Sequence, residues 1–262
     1  MQKLSKRLQA VADFVTPGNR VADIGTDHGF LPVYLVQSGK CPSAVAMDLR
    51  KGPLDRAREH IEAAELTDRI QIRLSDGMAS LEKGEADSAV MAGMGGLTVI
   101  QILTAAQSLL PDLKELVTEP QSDIAKVRRW LREHRMYIDR EDLVLEAGKF
   151  YPVLHVVMHE PEIHKDYAQN KEILMHMLRK KLSDEQEIRQ LLDQYGECLL
   201  FSRHPELAAL LERDKKREQE IIRQLAAGTG ADGKDRKKHV KRQKQALMRV
   251  QEIDLLLEQY LQ

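Results

Sequence analysis

The sequence predicts an α/β fold: a parallel sheet covered by helices on both faces, ending in an antiparallel pair and followed by an all-α region. Three observations carry this reading. Short apolar runs at Val21–Ile24, Ala44–Met47, Ile70–Leu74, Ala89–Ala92 and Leu116–Thr118 alternate with helical patterns near 31–39, 53–65, 97–109 and 122–135, as buried parallel strands and their crossover helices do. Leu143–Leu145 and Tyr151–Met158 follow with no helix between them, and Gly148 marks a hairpin. Beyond residue 158 the pattern is almost wholly helical and rich in Glu, Lys, Arg, Gln and Leu. Two domains are therefore expected, at 1–158 and 159–262.

Residues 1–19 read as a short basic amphipathic helix with Leu4, Leu8, Val11 and Phe14–Val15 on one face, stopping at Pro17–Gly18. In the tail a helix is expected over about 166–182, and Ser183 with Gln186 forms a capping box for the next, which ends near Gly196. Pro205 suits the first turn of a helix reaching about Ala227. The turn-rich Gly228–Gly233 stretch joins it to a last helix over 236–261. Val240, Leu247, Val250, Leu257 and Leu261 space as a heptad seam, and Leu207, Leu211, Ile221 and Leu225 give a matching stripe. Residues 205–262 thus read as an antiparallel coiled-coil hairpin.

Composition excludes several classes. Two cysteines among 262 residues cannot build a disulfide scaffold or a Cys-rich zinc site, so a reducing, cytoplasmic setting is expected. No stretch of about 18 apolar residues suggests a membrane span, and the N-terminus lacks a signal-peptide core. Aromatic residues are only 4%, which disfavours an aromatic sheet that stacks RNA bases. His155 and His159 are spaced like metal ligands but lie on a strand pattern without an adjacent Glu; they read as half-exposed strand residues, and no metal is expected. The net charge of -1 hides a split: Arg213–Arg249 carries 13 Lys/Arg against 5 Asp/Glu, or +8, which leaves -9 elsewhere. A basic end on an acidic body suits a polyanionic partner, or simply a solvated helical surface.

The chemistry concentrates in the loops after the strands. Val21-Ala-Asp-Ile-Gly-Thr-Asp-His-Gly29 runs from a strand through glycines 25 and 29 into a helix. Asp23 and Asp27 would repel a pyrophosphate, which wants N–H groups and positive charge, but would welcome a cationic sulfonium with an amino-acid tail. That favours S-adenosylmethionine over a nicotinamide dinucleotide. Asp48 stands 23 residues beyond Gly25 at the end of the second strand, the place of an acid that accepts from ribose hydroxyls. Asp76-Gly77 follows the third strand, where a carboxylate can accept from an adenine amine or cap a helix. Ala92-Gly-Met-Gly-Gly96 follows the fourth, and its bare glycines let a planar group come close. His28 could orient a substrate base or satisfy a loop carbonyl. There is no Asn-Pro-Pro-Tyr box, nucleophile elbow or P-loop.

These residues resemble the bacterial tRNA (adenine-N1)-methyltransferase family that modifies an adenine in the D-arm region. The resemblance rests on Leu4-Ser-Lys-Arg-Leu8, Ala22-Asp-Ile-Gly-Thr-Asp-His28, Ala92-Gly-Met-Gly-Gly96 and Gly148-Lys-Phe-Tyr-Pro152. It implies a Rossmann-like class I methyltransferase fold with S-adenosylmethionine as methyl donor and tRNA as partner. By motif, the cofactor positions are Asp23, Gly25, Thr26, Asp27, Gly29, Asp48, Leu49, Asp76, Gly77, Ala92 and Gly93. Asp27, His28, Met94 and Gly95 are the candidate catalytic residues, and Met94, Gly95 and Gly96 match the family's loop beside the target base. Lys3, Lys6, Arg7, Lys234, Arg236, Lys237, Lys238, Lys241, Arg242 and Lys244 are the candidate RNA contacts. Gly29-Phe30 stands where the family pattern has Ala-Tyr, and Glu119 where it has Gln.

The expected reaction is methyl transfer from S-adenosylmethionine to N1 of a tRNA adenine by a chain that is more readily a monomer than a self-associating protein. Two rivals use the same motifs: a small-molecule methyltransferase whose hairpin serves dimerisation, and a non-catalytic adaptor that binds cofactor and RNA. Salt-dependent tRNA binding separates the first, and methyl transfer to tRNA the second.

Overall fold

The computed structural model describes residues 3–160, 165–182, 184–227 and 233–258, with the side chains of 165–167 and 233–237 outside that description. Two compact units emerge, one made of the residues through His164 with Gly196–Cys198, the other of Lys165–Tyr195 and Leu199–Gln262.

In the first unit α1 (Lys6–Phe14) precedes a sheet of seven strands: β1 (Val21–Ile24), β2 (Ala44–Asp48), β3 (Ile70–Leu74), β4 (Ser88–Met94), β5 (Glu115–Pro120), β6 (Tyr137–Glu146) and β7 (Lys149–Val157). Helices α2 (Phe30–Gln37), α3 (Lys51–Ala63), α4 (Gly96–Ala105) and α5 (Ile124–Glu133) connect them. The order is β3-β2-β1-β4-β5-β7-β6. The first five strands pair in parallel, and β7 enters antiparallel between β5 and β6. The antiparallel ending is the one that Gly148 foretold: it sits at φ +76 behind Ala147 at φ +48, a two-residue turn of the left-handed kind that hairpins favour.

Two apolar layers flank the sheet. One gathers Ile24, Met47, Met91, Val99, Leu103, Leu116, Leu131 and Leu154; the other gathers Val11, Val15, Leu35, Val36, Ile61, Val90, Val117 and Val153. β1, β2 and β5 are buried along their whole length, which is why their apolar residues do not alternate with exposed polar ones. The order reverses between β1 and β4, so their carboxyl ends diverge into a crevice where open α/β sheets bind ligands.

His155 departs from the expectation of a half-exposed strand residue. Its side chain is buried, with Nδ1 on Asp139 Oδ1 and Nε2 3.0 Å from Glu115 Oε2. Glu115 also accepts from the Thr16 amide and hydroxyl and from Ser88 Oγ. Burial opposes both charges. Even so, these partners hold the Glu115 carboxyl down at about 2 and raise the His155 imidazole above its ordinary value. The apolar spacing around 155 hid this because a strand interior can take a charged pair when both partners come from neighbouring strands.

The second unit holds α6 (Lys165–Lys181), α7 (Glu185–Tyr195), α8 (Glu197–Phe201), α9 (Pro205–Ala227) and α10 (Gly233–Leu257), though α8 begins within the Gly196–Cys198 segment of the first unit. The Ser183 of the expected capping box lies outside the described residues, while Asp184 Oδ1 accepts the Gln186 amide at 2.8 Å. α9 and α10 run antiparallel: Lys215 meets Asp254 at 2.6 Å, and Glu218 meets Arg249 at 3.3 Å. The seam differs from the expected one. Val240 and Leu247 are exposed, and the inward face carries Ala246, Ile253 and Leu256 instead. The same face meets Glu218, a buried carboxylate at the middle of α9, 3.3 Å from Arg249 and 3.9 Å from Arg242. The expected Leu261 and the 228–232 connector lie outside the described residues.

Candidate active site

A cavity of about 1320 Å³ opens at the carboxyl ends of β1–β4 and is walled by the start of α1, by α4 and by the loops that follow the strands. Each loop contributes for a local reason. After β1 the chain turns at Gly25, φ +78, with the amides of Gly25 and Thr26 both donating to the Met47 carbonyl at 2.8 Å. A Cβ on Gly25 would lie 2.7 Å from Met94 Cε, the movable tip of a long side chain, so it is the left-handed φ that reserves this position for glycine. Asp23, at the end of β1, is 6% exposed and lines the cavity. Burial pushes its carboxyl up to about 6, and nearby Asp48 adds repulsion.

Asp48 closes β2, buried, with Oδ1 accepting the Arg50 amide at 2.7 Å. The third strand leads into a turn with no helix behind it. Ser75 Oγ donates to the Gly77 carbonyl and accepts the Ser80 amide, leaving Asp76 exposed at the cavity. Asp76 is thus not a helix cap. Gly77, φ +55, faces Ile102, where a Cβ would come within 3.0 Å. Leu49 is 64% exposed at the rim.

At the end of β4 the register against β5 shifts between Ala92 and Met94, a bulge centred on Gly93 at φ +83. Bulges re-aim the chain at strand ends, and here Ala92, Gly93 and Met94 all turn to the cavity. Glu119, fully buried on β5, holds the bulge by accepting the Gly93 amide at 2.9 Å. The two glycines that follow differ. At Gly96 a Cβ would lie 2.3 Å from the Ser122 carbonyl and 2.9 Å from Val127 Cγ2; at Gly95 it would meet only Ser122 Oγ, at 3.3 Å. Gly96→Ala should therefore lower the thermal midpoint markedly, by an overpacking cost of about 1–3 kcal/mol, while Gly95→Ala stays near wild type. Equal midpoints for the two variants would refute this placement of the loop.

Of the cofactor positions read from the sequence, Asp23, Gly25, Asp27, Asp48, Leu49, Asp76, Gly77, Ala92 and Gly93 come together on the cavity, with Met94 beside them. Thr26, His28, Gly29 and Gly95 do not line it. Thr26 is buried with its hydroxyl unpartnered among the described residues. Gly29 is a packing glycine, where a Cβ would meet Ala57 at 3.1 Å. His28, left-handed at φ +60, stacks its ring 5.1 Å from Phe30. Its carbonyl takes the His60 ring at 2.6 Å, and Nε2 stands 3.6 Å from Asp27. Asp27 is largely exposed and bonded to Arg56 Nη2 at 3.0 Å.

The sequence reading missed the α4 wall of Thr98, Gln101, Ile102 and Ala105, and Gln121 after β5. The i, i+3, i+4, i+7 spacing of the α4 set was the available signal. Among the cations, Lys3 and Lys6 are exposed, and so are Lys238, Lys241 and Lys244 on α10. Arg7 is not a surface cation: Nη1 lies 2.5 Å from buried Glu119. Arg242 is half-buried and 3.9 Å from Glu218. The side chains of Lys234, Arg236 and Lys237 lie outside the described residues.

Comparison with known proteins places this architecture. Over 152 residues, 58% of the chain, it is 39% identical to the tRNA (adenine(22)-N(1))-methyltransferase of Bacillus subtilis, and the match spans 64% of that protein's length. The crystal structure of the B. subtilis m1A22 tRNA methyltransferase TrmK superposes with a TM-score of 0.76 at 27% identity, covering 98% of this chain and 100% of that one. Streptococcus pneumoniae Sp1610, solved in complex with S-adenosyl-L-methionine, gives 0.76 at 25% identity over 97% of this chain and 100% of its own. The family described as methyltransferase domain matches residues 4–154, more than half of the sequence, and the chain belongs to it.

Proposed function

We propose that the protein transfers a methyl group from S-adenosylmethionine to N1 of an adenine in tRNA. The observation that carries this is the row of acids along the cavity: Asp23 on β1, Asp48 at the end of β2, and Asp27 and Asp76 on the loops after β1 and β3. Such a row suits a sulfonium with an ammonium tail and two ribose hydroxyls, and it disfavours a pyrophosphate. The bare Gly25 beside Met94 on the cavity lining fits the same group, since its backbone can approach a ligand closely. The B. subtilis relative, named for adenine 22, supports tRNA as the acceptor.

When bound, S-adenosylmethionine supplies an electrophilic methyl on a positively charged sulfur. The residues of the chain then have three tasks. Asp48 accepts from the ribose and Asp76 from the cofactor adenine's amine. Gly93 and Met94, on the bulge, set the face against which the target base lies. The lone pair of adenine N1 is free at neutral pH, so no residue has to remove a proton before attack; alignment and exclusion of water carry the acceleration. The product base is cationic, and exposed Asp27 stands where it can offset that charge. N1 lies on the pairing edge, so the base must leave its stack to reach the cavity.

Asp23 ties stability to pH. In the fold its carboxyl loses its proton only near pH 6, whereas in the unfolded chain it does so near 3.8. Stability therefore drains away as pH rises between those values, and above pH 6 the full cost of a buried charge is present. Asp23→Asn should then be more stable than wild type at pH 8, by about 1–3 kcal/mol, match it below pH 4, and bind S-adenosylmethionine more weakly. Thermal midpoints that move in parallel for both proteins from pH 4 to 8 would contradict this.

For docking, Lys238, Lys241 and Lys244 on exposed positions of α10 suit phosphate contacts that neutralise the tRNA backbone without reading bases. Incubation with bulk tRNA and methyl-labelled S-adenosylmethionine tests the reading. Label in the tRNA is expected, and label in small molecules alone would favour the small-molecule enzyme.

A further inference from the structure

The start of α1 is held differently from its end. Its C-terminal half is anchored by Ala10, Val11, Ala12 and then Val15, all buried in the core. Its first residues, Leu4, Ser5, Arg7 and Leu8, instead form a wall of the cavity. Two carboxylates tie that wall down: Glu146 Oε1 accepts the Lys6 amide at 2.8 Å, and Glu119 Oε2 accepts both from Arg7 Nη1 at 2.5 Å and from the Gly93 amide at 2.9 Å. The helix and the β4 bulge are thus joined through a shared acceptor on β5.

The joint is built to fix geometry more than to add stability. Glu119 is 0% exposed, and its other oxygen, Oε1, finds no hydrogen-bond partner among the described residues. A buried carboxylate with an unmet acceptor is costly, and buried ion pairs add little net stability over apolar packing. Arg7 is constrained on one more side: its guanidinium lies 5.4 Å over the Tyr151 ring. The cofactor acids lie on β1, on β2 and in the loops after β1 and β3, and none of them bonds to Arg7 or Glu119.

We propose that Arg7, clamped by Glu119, is a positioning residue for the acceptor adenine: it pins the first turn of α1 against the Gly93 bulge, so that the slot between them keeps one width and presents N1 in line with the methyl group. The inference rests on the proposed methyl transfer to tRNA. It predicts that loosening the clamp lowers turnover while leaving cofactor affinity alone, because a misplacement of about 1 Å costs about 100-fold in rate.

The test uses full-length wild type, Arg7→Gln, Glu119→Gln and the double variant. Glu119→Gln keeps an oxygen for the Gly93 amide and removes only the charge, which protects the fold. The measurements are kcat and KM with tRNA, and calorimetric affinity for S-adenosylmethionine. Expected are a kcat loss of at least fivefold in each single variant, cofactor affinity within threefold of wild type, and a double variant no slower than the worse single. A kcat loss under fivefold with a raised tRNA KM would make Arg7 a plain phosphate contact and overturn the proposal. So would a fall in cofactor affinity in step with kcat, or losses that multiply in the double variant. Wild type is the control for the parent reading: if it methylates no tRNA, that reading falls and this one with it, whereas active wild type with fully active variants overturns the clamp alone.

Discussion

Asp48→Ala should weaken S-adenosylmethionine binding by about 100-fold or more while leaving the thermal midpoint nearly unchanged. Two charge-assisted hydrogen bonds of about 1.5–3 kcal/mol each would be lost with the carboxylate, and every 1.4 kcal/mol is tenfold in affinity. The fold loses little, since the structural contact of Asp48 is its Oδ1 bond to the Arg50 amide at a loop end. Asp48→Asn should fall between the two, as an amide still accepts one bond but without the charge. Calorimetry that finds unchanged affinity in Asp48→Ala would remove this residue from the site.

Replacing Lys238, Lys241 and Lys244 together with Glu should nearly abolish tRNA binding while cofactor affinity stays at the wild-type value. All three side chains are exposed on α10, away from the Glu218 cluster that takes up Arg242 and Arg249. If each lysine meets one phosphate, the slope of log affinity against log salt should become shallower by about 2–3, at roughly 0.7–0.9 per contact. A variant with a full salt slope, or with wild-type affinity, would assign the basic segment to another task such as self-association.

The sheet was legible because its signals are local. Five short apolar runs broken by amphipathic stretches can hardly be anything but buried parallel strands, and Gly148 between two strands without a helix demanded a hairpin. The cofactor acids were legible for a similar reason: Asp23, Asp48 and Asp76 lie at or just beyond the ends of successive strands, and strand ends converge at one edge of a parallel sheet. The misreadings came where a residue's role depends on a distant partner. Arg7 looks like a surface cation until Glu119, 112 positions away, is seen beneath it. His155 looks half-exposed until Glu115 and Asp139 close around it. The register of α10 was misjudged because heptad spacing weighs apolar residues only, whereas its inward face also meets the buried Glu218 carboxylate through Arg249. Gly95 and Gly96 are neighbours with opposite tolerance, and what tells them apart is the Ser122 carbonyl and Val127 packed against Gly96.

The central claim is the identity of the modified atom, and nucleoside analysis of the reaction product tests it most directly. Transfer RNA that lacks the modification should be incubated with the full-length protein and S-adenosylmethionine, digested to nucleosides and resolved by mass spectrometry. The account predicts 1-methyladenosine, formed at a single adenine in the D-arm region and absent in Asp48→Ala under limiting cofactor. Methyl groups found on another base or on an exocyclic amine, or tRNA recovered unmodified, would contradict it.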